Sequence, residues 1–397
     1  MTKVIAVNAG SSSLKFQLFE MPEEKVITSG IVERIGLDEG IFTIKYNGEK
    51  KTEKCPIENH AIAVDMLLKA LVNEGVVKEL SEIQAVGHRI VHGGEYFNDS
   101  AVVDEDVVKK VEELCELAPL HNPAHLIGYR AFKEALPEVG HVFTFDTAFH
   151  QTLSAENYLY PLPYEYYTDL KVRRYGAHGT SHKYVSEQAR EMIGNPEHSK
   201  IIVCHLGNGA SLSAVKDGKC IDTSMGFTPL AGVMMGTRTG DVDPSVMPYL
   251  CNKLGMDVND MLDVYNKKSG MLGVSGISSD SRDIEDAYYQ NDERAIRTST
   301  LYSRIVAKFI GSYYVELGGC DAIAFTAGVG ENAAYLRKLI AEDIHDALGV
   351  TLNDELNAVR SSENRVISTD DSKIKVMVIP TNEEVMIARD TVRLLGL

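Results

Sequence analysis

The chain has 397 residues, 44% apolar and 24% charged, which is the size and composition of two ordinary globular domains. Its 40 basic against 57 acidic residues leave a formal charge of −17, which argues against nonspecific nucleic-acid binding and against docking on anionic lipid. No apolar run approaches the ~20 residues that span a bilayer, the first residues lack a signal-peptide pattern, and the six scattered cysteines form no C-x-x-C pair, so free thiols in a cytoplasmic chain are expected.

The first structural signal is a pair of short apolar runs, Val4 to Val7 and Phe16 to Phe19, flanking Asn8-Ala9-Gly10-Ser11-Ser12-Ser13-Leu14-Lys15. Each run is too short for a helix, so the pattern predicts a β-hairpin with a tip of small hydrogen-bonding residues. Two readings of that tip stand: a cradle for a phosphate, with Lys15 adding charge, or an ordinary serine-rich turn. A strand over 42–46, a helix over Ala61 to Val72 and a strand-like, glycine-interrupted stretch over 85–94 follow. Periodicity then predicts a helix from Asp104 to Leu117, broken by Pro119 and Pro123, a second helix to about Leu136, and a strand from His141 to Phe145 ending at Asp146. The tyrosine- and proline-rich segment Leu153 to Tyr175 reads as a surface excursion beyond a domain boundary near 146–149.

The hairpin layout then recurs. Ile201 to Val215 again runs strand, Gly207-Asn208-Gly209 turn, strand, before Lys219 to Asp222. Helices are predicted over 244–254, 258–265 and 293–317; a strand over 321–326 runs into Ala327-Gly328-Val329-Gly330-Glu331-Asn332, expected as a third glycine loop; a helix to about Leu348, a strand over 375–379 and a helix over 383–395 close the chain. Alternating strands and helices imply α/β architecture with mixed sheets. The repeated hairpin implies two domains gripping a nucleotide.

Four groups of residues stand out chemically. Arg89, among glycines and beside Val91, offers a fork for a small carboxylate and an apolar wall for its tail; a structural salt bridge is the competing reading. His178 and Arg238 sit in glycine-bearing stretches and carry the donors that a migrating phosphoryl group needs, although either also reads as a loop residue. Asp146, at a strand end, reads as an orienting or proton-accepting carboxylate, or as a turn cap. Glu383 and Glu384 open the last helix, where acids suit the dipole and also suit Mg²⁺ held through water. The pairs His88/His92, His121/His125 and His178/His182 have zinc-like i, i+4 spacing, but neighbouring glycines and prolines make helix unexpected at all three, and no H-E-x-x-H is present. Gly328 to Ala333 fits G-x-G-x-x-A without the acid-tipped second strand of a dinucleotide site, and a Walker A loop is absent.

Taken together, Val7 to Lys15, Gly176 to His182, His205 to Gly209, Met235 to Arg238 and Pro380 to Glu384 resemble the acetate kinase family, within the superfamily of acetate and sugar kinases, heat-shock chaperones and actin. The resemblance covers nearly the whole chain. It implies a homodimer of two duplicated actin-like (ribonuclease H-like) domains, residues 1–148 and 149–382, with the helix 383–397 packed back on the first and the nucleotide in the cleft between them. It implies ATP and acetate as substrates, acetyl phosphate and ADP as products of direct in-line transfer, and Mg²⁺, or Mn²⁺ in its place, as the ion. By position, Asn8 and Glu383 match the metal site, with Glu384 the alternative carboxylate, and Lys15 a phosphate contact. Arg89 matches the carboxylate clamp, Asp146 the acid/base or orienting group, and His178 and Arg238 the transition-state stabilisers. The ATP site would comprise His205, Leu206, Gly207, Asn208, Gly209, Asp280, Ser281, Arg282, Gly328, Val329, Gly330, Glu331 and Asn332; the acyl pocket Val91, Leu120 and Pro229. Some members carry Phe where this chain has Ala177, which implies a roomier pocket, while Val91 keeps it small; one methylene is worth only ~1–3 kcal/mol, so acetate and propionate overlap. A propionate-preferring kinase and an ATP-gated binding protein of the actin or chaperone type are the alternatives.

Overall fold

The structure is a computed structural model that describes all residues from Met1 to Leu397. They form two compact units, one of Met1–Gln151 with Asn382–Leu397 and one of Thr152–Thr381.

Unit 1 holds eight strands: β1 (Thr2–Ala9), β2 (Ser13–Met21), β3 (Lys25–Glu33), β4 (Gly40–Tyr46), β5 (Glu49–Cys55), β6 (Ile83–Ile90), β7 (Ala101–Val102) and β8 (Gly140–Phe145). Their order across the sheet is β5-β4-β3-β2-β1-β6-β8-β7. β1 pairs antiparallel with β2 and parallel with β6, which pairs parallel with β8. Register and the two-residue side-chain period decide what each face carries. Ile5 and Val7, with Val86, belong to the core that includes Val64, Leu67 and Leu71 of the His60–Asn73 helix and Phe132 of the Asn122–Ala135 helix. The alternate set, Ala6 beside Gly87 and then Asn8 and Arg89, lies on the face covered by the Glu383–Leu395 helix. Gly87 is required there: a Cβ would sit 2.3 Å from Thr391 Oγ1 and 2.5 Å from Ile387 Cγ2.

Unit 2 holds β9 (Lys200–Leu206), β10 (Ala210–Lys216), β11 (Lys219–Thr223), β12 (Ala322–Thr326), β13 (Arg365–Val366) and β14 (Lys375–Val378), ordered β11-β10-β9-β12-β14-β13. β9, β12 and β14 are parallel, and β10 runs antiparallel to β9. This repeats the β3-β2-β1-β6-β8-β7 order of unit 1, so the duplicated hairpins seed duplicated mixed sheets, each flanked by helices. The core joins Leu212, Ile323 and Val376 of the sheet to Val306 and Ile310 of the Glu293–Leu317 helix and Leu336 and Ile340 of the Ala334–Leu348 helix.

Four expectations need correction. The 104–117 segment is an α-helix only over Glu105–Glu113, followed by a 3₁₀ turn over Leu114–Glu116. The segment 327–332 is not an open glycine loop but a short helix, Ala327–Asn332, entered through Ala327 in left-handed conformation (φ 64°). Of the pairs His121/His125 and His178/His182, His125 and His182 do lie on helices, with His121 and His178 at the N-cap positions. Pro123 falls in the first turn of Asn122–Ala135, where its missing N–H costs nothing, and His178 caps Gly179–Met192 from a left-handed backbone (φ 59°). No group of three or more His, Cys, Asp or Glu side chains is arranged to hold a metal ion, and no helix is long and apolar enough to cross a membrane.

Candidate functional site

In unit 1 the chemistry gathers where β1, β6 and β8 end. Asn8 and Lys15 are cross-strand partners in the β1–β2 pair. Val7 stands beside His88, which brings Asn8 next to Arg89, and Arg89 pairs with Thr144 two residues before Asp146. Asp146 is 1% exposed and its backbone N–H donates to Ile90 O (2.9 Å). The Arg89 guanidinium donates to it through Nε (3.0 Å to Oδ2) and Nη2 (2.5 Å), and through Nη1 to Asn8 Oδ1 (3.3 Å). The fork that the sequence offered to a substrate carboxylate is therefore closed on Asp146 along one edge, and Asp146 orients the arginine. Burial alone would lower the Arg89 pKa, but Asp146, Glu383 and Glu384 hold it above its ordinary value. Val91 is buried just beyond β6, whereas Leu120 is 78% exposed.

The Glu383–Leu395 helix starts at the same cluster. Asn382 caps it by accepting from Val385 N (3.1 Å). Glu384 is ion-paired with Lys15. Glu383 is pushed up to about 7, first by removal from water and then by the charges of Asp146 and Glu384, with Arg89 and Lys15 opposing. Asn8 and Glu383 present an amide and a carboxylate oxygen, the hard donors Mg²⁺ takes, and a divalent cation would relieve the repulsion that raises Glu383.

In unit 2, Gly207, Asn208, Asp280, Ser281, Arg282, Gly328, Val329 and Asn332 line one cavity of about 640 Å³. Its other walls are Gly236 and Ala333, which lie within stretches already singled out, and Met271, Ser279, Glu285 and Arg360, which the sequence had not marked. Gly207 N donates to Gly209 O (3.0 Å), and Gly236 N donates to Asn208 O (3.0 Å), locking the β9–β10 turn. Asp280 caps the Ser281–Tyr289 helix and pairs with the exposed Arg282 (2.5 Å), which lowers the Asp280 carboxyl to about 2 through hydrogen bonds from Arg282. Asn332 Nδ2 donates to Gly328 O (2.9 Å), Glu331 accepts from Thr381 N (3.3 Å), and Gly330 O accepts from the buried Arg337 (2.8 Å). Leu206, the last residue of β9, is buried in the core.

His178, His205 and Arg238 adjoin this turn. The His178 and His205 rings stack with centroids 4.1 Å apart, and Arg238 Nη1 donates to Pro229 O (3.0 Å). A Cβ on Gly209 would lie 3.5 Å from His178 Nε2 and 3.6 Å from Arg238 Nη1, so both side chains flank the glycine. Burial lowers the Arg238 pKa. Ala177 is buried in the unit 2 core. Left-handed backbone at non-glycine residues costs on the order of 1–3 kcal/mol, and here it falls at His178 and Ala327, the two residues that open helices beside these groups.

Comparison with known proteins bears on this arrangement. The model of the acetokinase family matches residues 3–389. An acetate kinase of Geobacillus sp. (strain WCH70) is 56% identical over 395 residues, 99% of both chains. Among solved structures, Porphyromonas gingivalis acetate kinase superposes with a TM-score of 0.95 at 45% identity over the full length of both chains. A propionate kinase from Francisella tularensis subsp. tularensis SCHU S4 gives 0.93 at 40% identity, covering 99% of this chain and 100% of that one.

Proposed function

The chain belongs to the acetokinase family, and on that premise we propose how its residues divide a phosphoryl transfer between ATP and acetate. The reaction joins an acetate oxygen to the γ-phosphorus and breaks the bond to the β–γ bridging oxygen, giving acetyl phosphate and ADP reversibly. Both reactants are anions, so the protein's task is to hold like charges together and to stabilise the charge spreading over the equatorial oxygens.

Unit 1 handles the carboxylate. Arg89, fixed by Asp146 along one edge, presents its remaining N–H groups to the acid, and Val91, Leu120 and Pro229 are the residues proposed to limit the length of the acyl chain. Asp146 acts as the orienting carboxylate rather than as the acid/base. Lys15 meets nucleotide phosphate. Asn8 and Glu383 hold Mg²⁺, or Mn²⁺ in its place, which when bound neutralises phosphate charge. Unit 2 holds the nucleotide. His205 to Gly209, Asp280 to Arg282 and Gly328 to Asn332 form its site, and His178 and Arg238 donate to the transferring group. The observation that carries this reading is the cavity lined by three segments far apart in sequence, each bringing glycine or a helix-capping acid, beside the His178–Gly209–Arg238 cluster.

We further propose that residues 1–148 with 383–397 and residues 149–382 are the two actin-like domains, that the enzyme is cytoplasmic, as six free thiols suit, and that it is a homodimer. Exposed Tyr249, Leu254, Val258 and Leu262 on neighbouring helices of unit 2 support the last point.

The test is incubation with Mg-ATP and acetate, propionate or butyrate, trapping acyl phosphate with hydroxylamine. Highest kcat/KM with acetate supports the reading; a clear preference for propionate transfers it to a propionate kinase and makes Ala177 the first residue to replace. Slow ATP hydrolysis without any hydroxamate would contradict both and leave an ATP-gated binding protein.

A further inference from the structure

We infer that Ser211, itself held by His182, is the positioning residue that keeps the His178 proton on Nε2; the inference rests on the reading of His178 as a donor to the transferring phosphoryl group. The i, i+4 pair that suggested zinc is bridged instead by a serine. His182 lies in the Gly179–Met192 helix and His178 at its N-cap, and Ser211 Oγ on β10 lies 2.8 Å from His178 Nδ1 and 2.7 Å from His182 Nε2. Ser211 is wholly buried, so its hydroxyl is committed to these rings.

A hydroxyl has one proton. Serving two ring nitrogens, it either donates to one and accepts from the other or accepts from both. When Ser211 donates to His178 Nδ1, His182 Nε2–H donates to Ser211, and the neutral His178 ring carries its own proton on Nε2. The reverse arrangement leaves a bare lone pair on Nε2, which would repel phosphoryl oxygens. The remaining option, both rings donating to Ser211, requires a charged His178 to present any proton from Nε2. Two observations disfavour that charge. Arg238 Nη1 flanks the same Gly209 position as His178 Nε2, and the ring is stacked at 4.1 Å on the buried His205, so that face is withdrawn from water. Neutral His178 with the proton on Nε2 is the arrangement that fits the contacts with Ser211, His205 and Arg238.

The test uses the full chain with Ser211→Ala, Ser211→Thr, His182→Gln and His182→Leu, with His178→Ala as the reference, read by steady-state kinetics and by ¹⁵N chemical shifts of the histidine rings. Ser211→Ala should lower kcat about tenfold, the worth of one hydrogen bond. It should leave the KM values for ATP and acetate within about twofold and shift His178 toward the Nδ1–H tautomer. Ser211→Thr, which keeps the hydroxyl, and His182→Gln, which keeps an N–H donor, should retain most of kcat; His182→Leu should not. Wild-type kcat and tautomer in Ser211→Ala, with His178→Ala impaired, would overturn the inference and leave the role of His178 standing. Wild-type kcat in His178→Ala would overturn that role as well. Should Ser211→Ala not fold, equal activity of His182→Gln and His182→Leu would overturn the inference.

Discussion

Unit 1 should be acid-labile, because it folds around neutral histidines. His88 Nε2 and His141 Nδ1 share one hydrogen bond (3.0 Å), edged by Tyr129, Phe132 and Phe143, and His92 and His125 are buried nearby on the loop after β6 and on the Asn122–Ala135 helix. Burial is the leading cause in each case: it pushes His92 and His141 down to about 4 and His125 to about 3, and lowers His88 in the same direction. A histidine depressed in the fold binds fewer protons than in the unfolded chain, so its stabilising contribution is complete above pH 6.5 and is lost as pH falls toward the folded value. Between pH 7 and 5 the loss is about 2 kcal/mol per histidine, or about 6 for the three with values. Glu383 works the other way. Raised to about 7, it is destabilising when ionised, so acidification to pH 5 returns about 2 kcal/mol. The net loss of about 4 kcal/mol, before His88 is counted, is a large part of an ordinary domain stability of about 5–15 kcal/mol. Urea unfolding at pH 7, 6 and 5 measures it; with no tryptophan in the chain, circular dichroism is the signal. His125→Leu should flatten the pH dependence by about 2 kcal/mol. A wild-type stability that is constant from pH 7 to 5, or a His125→Leu slope equal to that of the wild type, would refute the argument.

Arg89→Ala should raise the acetate KM and lower kcat/KM for acetate by roughly 10- to 100-fold, the worth of a charged hydrogen bond; an unchanged acetate KM removes Arg89 from the carboxylate site. Arg238→Ala should lower kcat by about 10²–10³ with little change in either KM, as for a donor used only in the transition state, and a pure KM effect in initial-rate assays contradicts that role. Gly236→Ala places a Cβ 1.9 Å from Asn208 Oδ1 and 3.1 Å from Ser279 O, so Asn208 must move. The ATP KM should then rise about tenfold while the acetate KM holds, and equal ATP binding by calorimetry would exclude Asn208 from the nucleotide site. Glu383→Gln should raise the Mg²⁺ concentration needed for half-maximal rate; an unchanged Mg²⁺ titration points to Glu384.

The hairpins were readable because each joins two short apolar runs by small polar residues, and their recurrence carried the duplication into view. Asp146 was readable as the polar end of an apolar strand. The strand Glu49–Cys55 was not, because it is a charged, exposed sheet edge whose side chains carry no alternating apolar signal. The Gly179–Met192 helix was hidden by Gly176 and Gly179, which read as loop until His178 is seen capping it from a left-handed backbone. The short helix over Ala327–Asn332 was hidden in the same way by its glycines. Met271, Glu285 and Arg360 reach the nucleotide cavity only through tertiary folding, and nothing in their adjoining residues announces it. The closure of the Arg89 fork on Asp146 was likewise invisible, since it depends on β6 and β8 standing side by side.

The central claim is a single in-line transfer from ATP to the carboxylate. It is tested most directly with ATP whose γ-phosphorus is a chiral, oxygen-isotope-labelled thiophosphate, by reading the configuration of the acetyl thiophosphate formed. One displacement predicts inversion. Retention would mean two displacements through a phosphorylated residue and would contradict the roles given to Arg89, His178 and Arg238.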